Sequence, residues 1–232
     1  MHHHHLLPLL LTLATAAPTT PKLTTAHGFR LIANITSTAD LTPSVHLLPF
    51  ELAHIGPAQN RAILRYQSPS SPIPTPSTGG TAVGPIFYQN GTASSQMNTS
   101  ILTDAGTPPF PEGLAFLPDT NNTQSGGLYA FGGSGTQGIH LGGPFSELTL
   151  PDREEGTFVA CNATIPYYGP TWSFVVVNWV GTNEKAQLEE GCVPITLLPE
   201  CAALTELPEG AISSHEWAEE IHCYENVGKV VW

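Results

Sequence analysis

The sequence predicts an all-β domain of about twelve short, mostly antiparallel strands, forming a trefoil-like barrel or a sandwich, with a short C-terminal helix. Three observations carry this reading. Apolar residues recur at period 2 in short runs, the spacing of strands with one covered face. Gly, Pro and Asn punctuate those runs, with 22 Gly and 22 Pro in 232 residues. Only one segment, close to the C-terminus, carries a helical period.

The first strand is residues 29–35, whose alternation puts Phe29, Leu31, Ala33 and Ile35 on one face and turns Asn34 outward. Strand-like runs follow at 45–55, 61–66, 85–89, 100–103, 114–117 and 128–131. Those at 139–141, 147–150, 157–164, 172–180 and 192–198 complete the set. Residues 67–81 are a Pro/Ser/Thr/Gly tract with no apolar face to bury, read as an exposed loop. Asn90-Gly91 is a hairpin signal after Ile86-Phe87-Tyr88. Ser213 and Glu216 form a capping box, and Trp217, Ile221 and Tyr224 follow at i, i+4, i+7, which predicts a helix over 215–224. The domain therefore spans 28–201, after a flexible segment at 17–27, and an acidic extension occupies 202–232.

Residues 6–13 are a short leucine-rich core followed by Ala14-Thr15-Ala16, the pattern of a secretory signal peptide over 1–16. The n-region is four histidines with no Lys or Arg, a departure from that pattern. No later run approaches the roughly 20 apolar residues of a membrane span, and no hydrophobic tail signals a lipid anchor. Entry into the secretory lumen gives meaning to five glycan acceptor triplets, headed by Asn34, Asn90, Asn98, Asn121 and Asn162, where composition alone gives about 1.8. The same oxidising compartment suggests that Cys161, Cys192, Cys201 and Cys223 form two disulfides, with three connectivities open.

Charged residues are only 11% of the chain, and the net charge is −12. The acidic balance and the lack of a basic patch argue against nucleic acid as a partner. No catalytic template fits. The glycine-rich run 132–138 lacks both the second glycine of a nucleophile elbow and the lysine of a phosphate loop. Asp152, Glu154 and Glu155 lie in a turn and read as solvated charges rather than a hydrolytic pair. His215, Glu219 and His222 would share one helix face that could converge on a metal, but they read as a solvent-facing polar stripe. No metal ligand, cofactor site or catalytic residue is assigned. Tyr167 and Tyr168, beside Gly169-Pro170, read as exposed rings suited to stacking on a sugar, while Trp172 and Trp179 read as core.

Five strings recur in order between Phe29 and Cys201: Phe29-Arg30-Leu31-Ile32-Ala33, residues 86–92 (IFYQNGT), residues 107–111 (TPPFP), Thr157-Phe158-Val159-Ala160-Cys161 and Gly191-Cys192-Val193-Pro194-Ile195. In this order they resemble secreted fungal wall proteins of the phialide type and, more closely, a related fungal secreted family of unknown function. The resemblance implies secretion and wall or extracellular association, and brings no catalytic residues. The expectation is a non-enzymatic secreted glycoprotein, extracellular or wall-associated, whose partner is a wall polysaccharide or another extracellular protein. A hydrolase of wall polysaccharide and a host-directed effector are the alternatives.

Overall fold

The computed structural model describes residues 22–67, 84–91, 99–150, 155–181 and 188–230. The segment expected as a signal peptide, most of the Pro/Ser/Thr tract, Asn98, Asp152 and Glu154 lie outside them. Among the described residues there are fourteen strands: β1 (Leu23–Ala26), β2 (Gly28–Ile35), β3 (Glu51–Gly56), β4 (Gln59–Gln67), β5 (Phe87–Asn90), β6 (Ser100–Ala105), β7 (Phe110–Asp119) and β8 (Asn122–Gly132). They continue as β9 (His140–Gly142), β10 (Glu147–Thr149), β11 (Gly156–Ala163), β12 (Ser173–Gly181), β13 (Cys192–Ala202) and β14 (Ile221–Tyr224).

Nine of these close a barrel. The antiparallel order runs β2-β5-β6-β7-β8-β4-β12-β11-β13, and β13 pairs back onto β2 from Ile195↔Ile35 to Ala202↔Gly28. Closure leaves no bare edge in the wall, which settles the choice between barrel and sandwich. β3 flanks β4 outside the ring, and β9–β10 is a separate ribbon.

Every barrel strand sends alternate residues to one interior cluster, including Phe29, Leu31 and Ala33 of β2, Leu114 and Phe116 of β7, and Val175, Val177 and Trp179 of β12. A second cluster lies on the outside of the wall, where Ile63, Val159, Cys161, Phe174 and Val176 are covered by Ile165 and its loop. β11 and β12 are thus apolar on both faces, which is why their sequences read as nearly continuous hydrophobic runs.

The C-terminal extension departs from expectation. Residues 215–224 are not helical: a turn at 216–217 leads to β14, which pairs with β1 from Ala26↔Ile221 to Leu23↔Tyr224. Residues 23–26 are therefore ordered, against the flexible N-terminus expected over 17–27. Cys223 is bonded to Cys201 of β13, and Cys161 to Cys192. Both the β1 pairing and the disulfide are non-local, so they override a pattern readable as helix only within its own window. Ser213 makes no cap; its amide and that of Ile212 both donate to the Pro109 carbonyl. Nor does Asn90-Gly91 form a tight hairpin, since β5 ends at Asn90 and β6 resumes at Ser100. A side chain at Gly91 would strike Glu219, 2.1 Å from its carboxylate oxygen, so this glycine admits the extension.

Candidate functional site

The loop that covers the outer cluster begins with Ile165, buried against Val159 and Val176. Pro166 presets the backbone of a single 3-10 turn, Pro166–Tyr168, closed by the Tyr168 amide on the Ile165 carbonyl at 3.0 Å. Gly169 exits at φ 77°, a value that favours glycine. This turn separates the two tyrosines. Tyr168 folds back between Trp172 and Phe174, with ring centroids at 5.3 and 4.9 Å, and is half-buried. Tyr167 points away and is 59% exposed, steadied by an edge-on contact with His54 at 5.4 Å. Of the pair expected to be exposed, only Tyr167 is.

Beneath Tyr167 lies a cleft of about 440 Å³ between this loop and the outer faces of β4, β8 and β12. Its polar residues are Arg61, Tyr129, Thr164 and Asn178. Arg61 is 8% exposed. It sits where β4 leaves β8 and joins β12, a junction at which the two neighbouring strands diverge. The guanidinium bridges the gap, with Nη1 donating to the Leu128 carbonyl and, at 2.8 Å, to the Val177 carbonyl, and Nη2 donating to Asn178 Oδ1. Its Cζ lies 4.5 Å from the centroid of the Tyr129 ring. Burial lowers its pKa to about 10, against the opposing pull of Tyr129 and Asp119, so it remains a cation at neutral pH. Gly127 gives it room, because a Cβ there would lie 3.1 Å from Arg61 Cζ.

A second polar cluster joins the extension to the barrel. His215 Nε2 lies 2.8 Å from Asp104 Oδ2, and Tyr88 donates to Asp104 Oδ1 at 3.5 Å. Burial, then the Asp104 charge, pushes the Tyr88 phenol up. Ser213 is buried nearby, but no hydrogen bond joins its hydroxyl to His215, so a serine nucleophile paired to that histidine is not assembled. Gln89 Nε2 donates to Glu219 at 2.6 Å, and the Glu219 amide donates to the Gln89 carbonyl. The cluster holds a strap to the wall. His222 lies exposed on β14, so the His215/Glu219/His222 stripe is dispersed, and no acidic, His or Cys cluster suited to a metal occurs among the described residues.

The acceptor asparagines occupy unlike places. Asn121 is exposed in the turn between β7 and β8, and Asn162 is exposed near the end of β11. Asn34 lies on the outer face as the alternation required, yet is only 7% exposed. Asn90 bridges Ala218 of the strap, and its Oδ1 is buried. The 132–138 run is a turn, with Gly133, Gly135 and Gly138 at positive φ.

The fold and its cleft define a disulfide-stapled, nine-stranded β-barrel whose wall carries a surface cleft floored by a buried arginine. The chain belongs to the family described as a domain of unknown function (DUF7907), whose model matches residues 26–201. It is similar to the antigenic protein SchS34 of Stachybotrys chartarum, 33% identical over 226 residues that cover 93% of each chain. No solved structure matches it. The family match ends at Cys201, where the sequence landmarks also end.

Proposed function

We propose that this is a secreted, non-enzymatic glycoprotein that binds a glycan at the extracellular surface or cell wall through the cleft under Tyr167. One observation carries the reading: an exposed tyrosine stands over a cleft whose floor presents fixed hydrogen-bonding groups. A pyranose buries its C–H face on such a ring and directs its hydroxyls to groups such as Thr164 and Asn178. Two disulfides and an antigenic fungal relative support an extracellular site of action. No helix among the described residues is long and apolar enough to cross a membrane.

The test is incubation with insoluble fungal and plant wall polymers, assayed for both retention of protein and release of reducing sugar. Retention without release is expected. Catalytic release abolished by Asp152→Asn or Glu154→Gln would establish a hydrolase instead.

A further inference from the structure

We infer that the cleft takes a carboxylate, so that its ligand is an acidic saccharide bearing a uronic acid rather than a neutral glucan. This rests on the reading of the cleft as a glycan site and specifies its chemistry.

The argument starts from the unspent valence of Arg61. A guanidinium carries five N–H donors. Three are used, on the carbonyls of Leu128 and Val177 and on Asn178 Oδ1. All three acceptors are neutral. No acceptor for Nε–H or for a second Nη2–H occurs among the described residues, and Nε with Nη2 is the pair of nitrogens on which a guanidinium receives a carboxylate side-on. No Asp or Glu oxygen among the described residues comes within 4 Å of the guanidinium, the one such pair being His215 with Asp104. A buried cation normally has a counter-ion. Asp119 acts on Arg61 only from beyond contact distance, and because Arg61 lines the cleft, the contact position is left for a ligand.

Geometry restricts that ligand further. Tyr167 forms the rim and Arg61 the floor, so a molecule filling the space presents an apolar ring face to the one and an anion to the other. A uronate has both in one residue. Thr164 and Asn178 line the same space and meet the hydroxyls. The net charge of −12 does not oppose this at contact, since exposed charges are screened beyond about 8 Å at physiological salt while the guanidinium acts directly.

The experiment titrates the full chain with trigalacturonate, its methyl ester and cellotriose, followed by calorimetry and by the Arg61 Nε–H resonance in nitrogen-15 spectra. Expected are trigalacturonate binding, a shift of that resonance, and at least about tenfold weaker binding of the ester, since a charge-assisted fork is lost. Tyr167→Ala, on an exposed ring, weakens binding several-fold without altering the fold. Arg61→Lys keeps the charge but loses the fork, and is read the same way if it folds. If it does not, the ester comparison and the resonance are both made on the unaltered protein. Equal or tighter binding of the ester or of cellotriose overturns the carboxylate inference and leaves glycan binding standing. Binding of trigalacturonate that neither moves Arg61 nor depends on Tyr167 overturns it as well. Absence of binding by all three overturns the inference and the glycan reading together.

Discussion

Arg61 shows how one residue serves architecture and site at once. Its guanidinium satisfies two backbone carbonyls that diverging strands would otherwise leave unpaired, and the same placement puts a cation at the floor of the cleft. Gly127→Ala tests this packing. The added methyl would lie 2.6 Å from the Tyr129 ring and 3.1 Å from Arg61 Cζ, so we expect a loss of about 1–3 kcal/mol in denaturant unfolding, the cost of overpacking. Glu112 offers a pH test. It is buried, accepts from Asn60 Nδ2 at 2.7 Å, and has its pKa raised first by desolvation. A raised folded-state pKa contributes stability that is fully present below the ordinary value of 4.5 and is lost as pH rises through the folded value. Glu112→Gln should therefore raise the unfolding midpoint at pH 7 and leave it nearly unchanged below pH 4.5. Alternation in sequence put Asn34 on the outer face correctly but said nothing of what lies over that face. Peptide mapping of the secreted protein is expected to find glycan at Asn121 and Asn162 and none at Asn34. A fully occupied Asn34 would contradict the packing of β2.

At the scale of elements, each of the twelve strand-like runs of the sequence overlaps a strand, 45–55 only from Glu51 onward, because period 2 and turn residues act within a few positions. β1 and β14 were not legible. Each is four residues long; β1 pairs with β14 across nearly the whole chain, and β14 is joined on its other side to β13 at Glu200↔Tyr224. The spacing of Trp217, Ile221 and Tyr224 satisfies a helix, yet Trp217 is 54% exposed while Ile221 and Tyr224 are buried in different clusters. The two disulfides differ in consequence. Cys161–Cys192 joins residues already paired in register on β11 and β13, whereas Cys201–Cys223 anchors the strap. Replacing Cys201 and Cys223 by Ala is expected to cost about 2–5 kcal/mol and to expose residues 203–222 to limited proteolysis before the barrel is cut. Equal protection of the strap in that variant would show that Asp104–His215 and Gln89–Glu219 hold it alone.

For the whole molecule, closure of the barrel fills its interior from every wall strand and leaves function to the outside of the wall. There the outer cluster under Ile165 supplies a rigid base, and the cleft beside it is built from β4, β8, β12 and one turn. In sequence the site was visible only at its rim, as Tyr167. Its floor comes from Arg61, Tyr129 and Asn178, which lie 11 to 106 residues from Tyr167 and meet only once the strands pair. An isolated arginine in a strand-like run carries no local mark of such a role. The decisive measurement is retention on wall polymer by the unaltered protein, Tyr167→Ala and Trp217→Ala, the last removing an equally prominent ring from the strap. Loss of retention in Tyr167→Ala alone is the predicted result. Undiminished retention in Tyr167→Ala, or loss in Trp217→Ala instead, would contradict the assignment of the cleft.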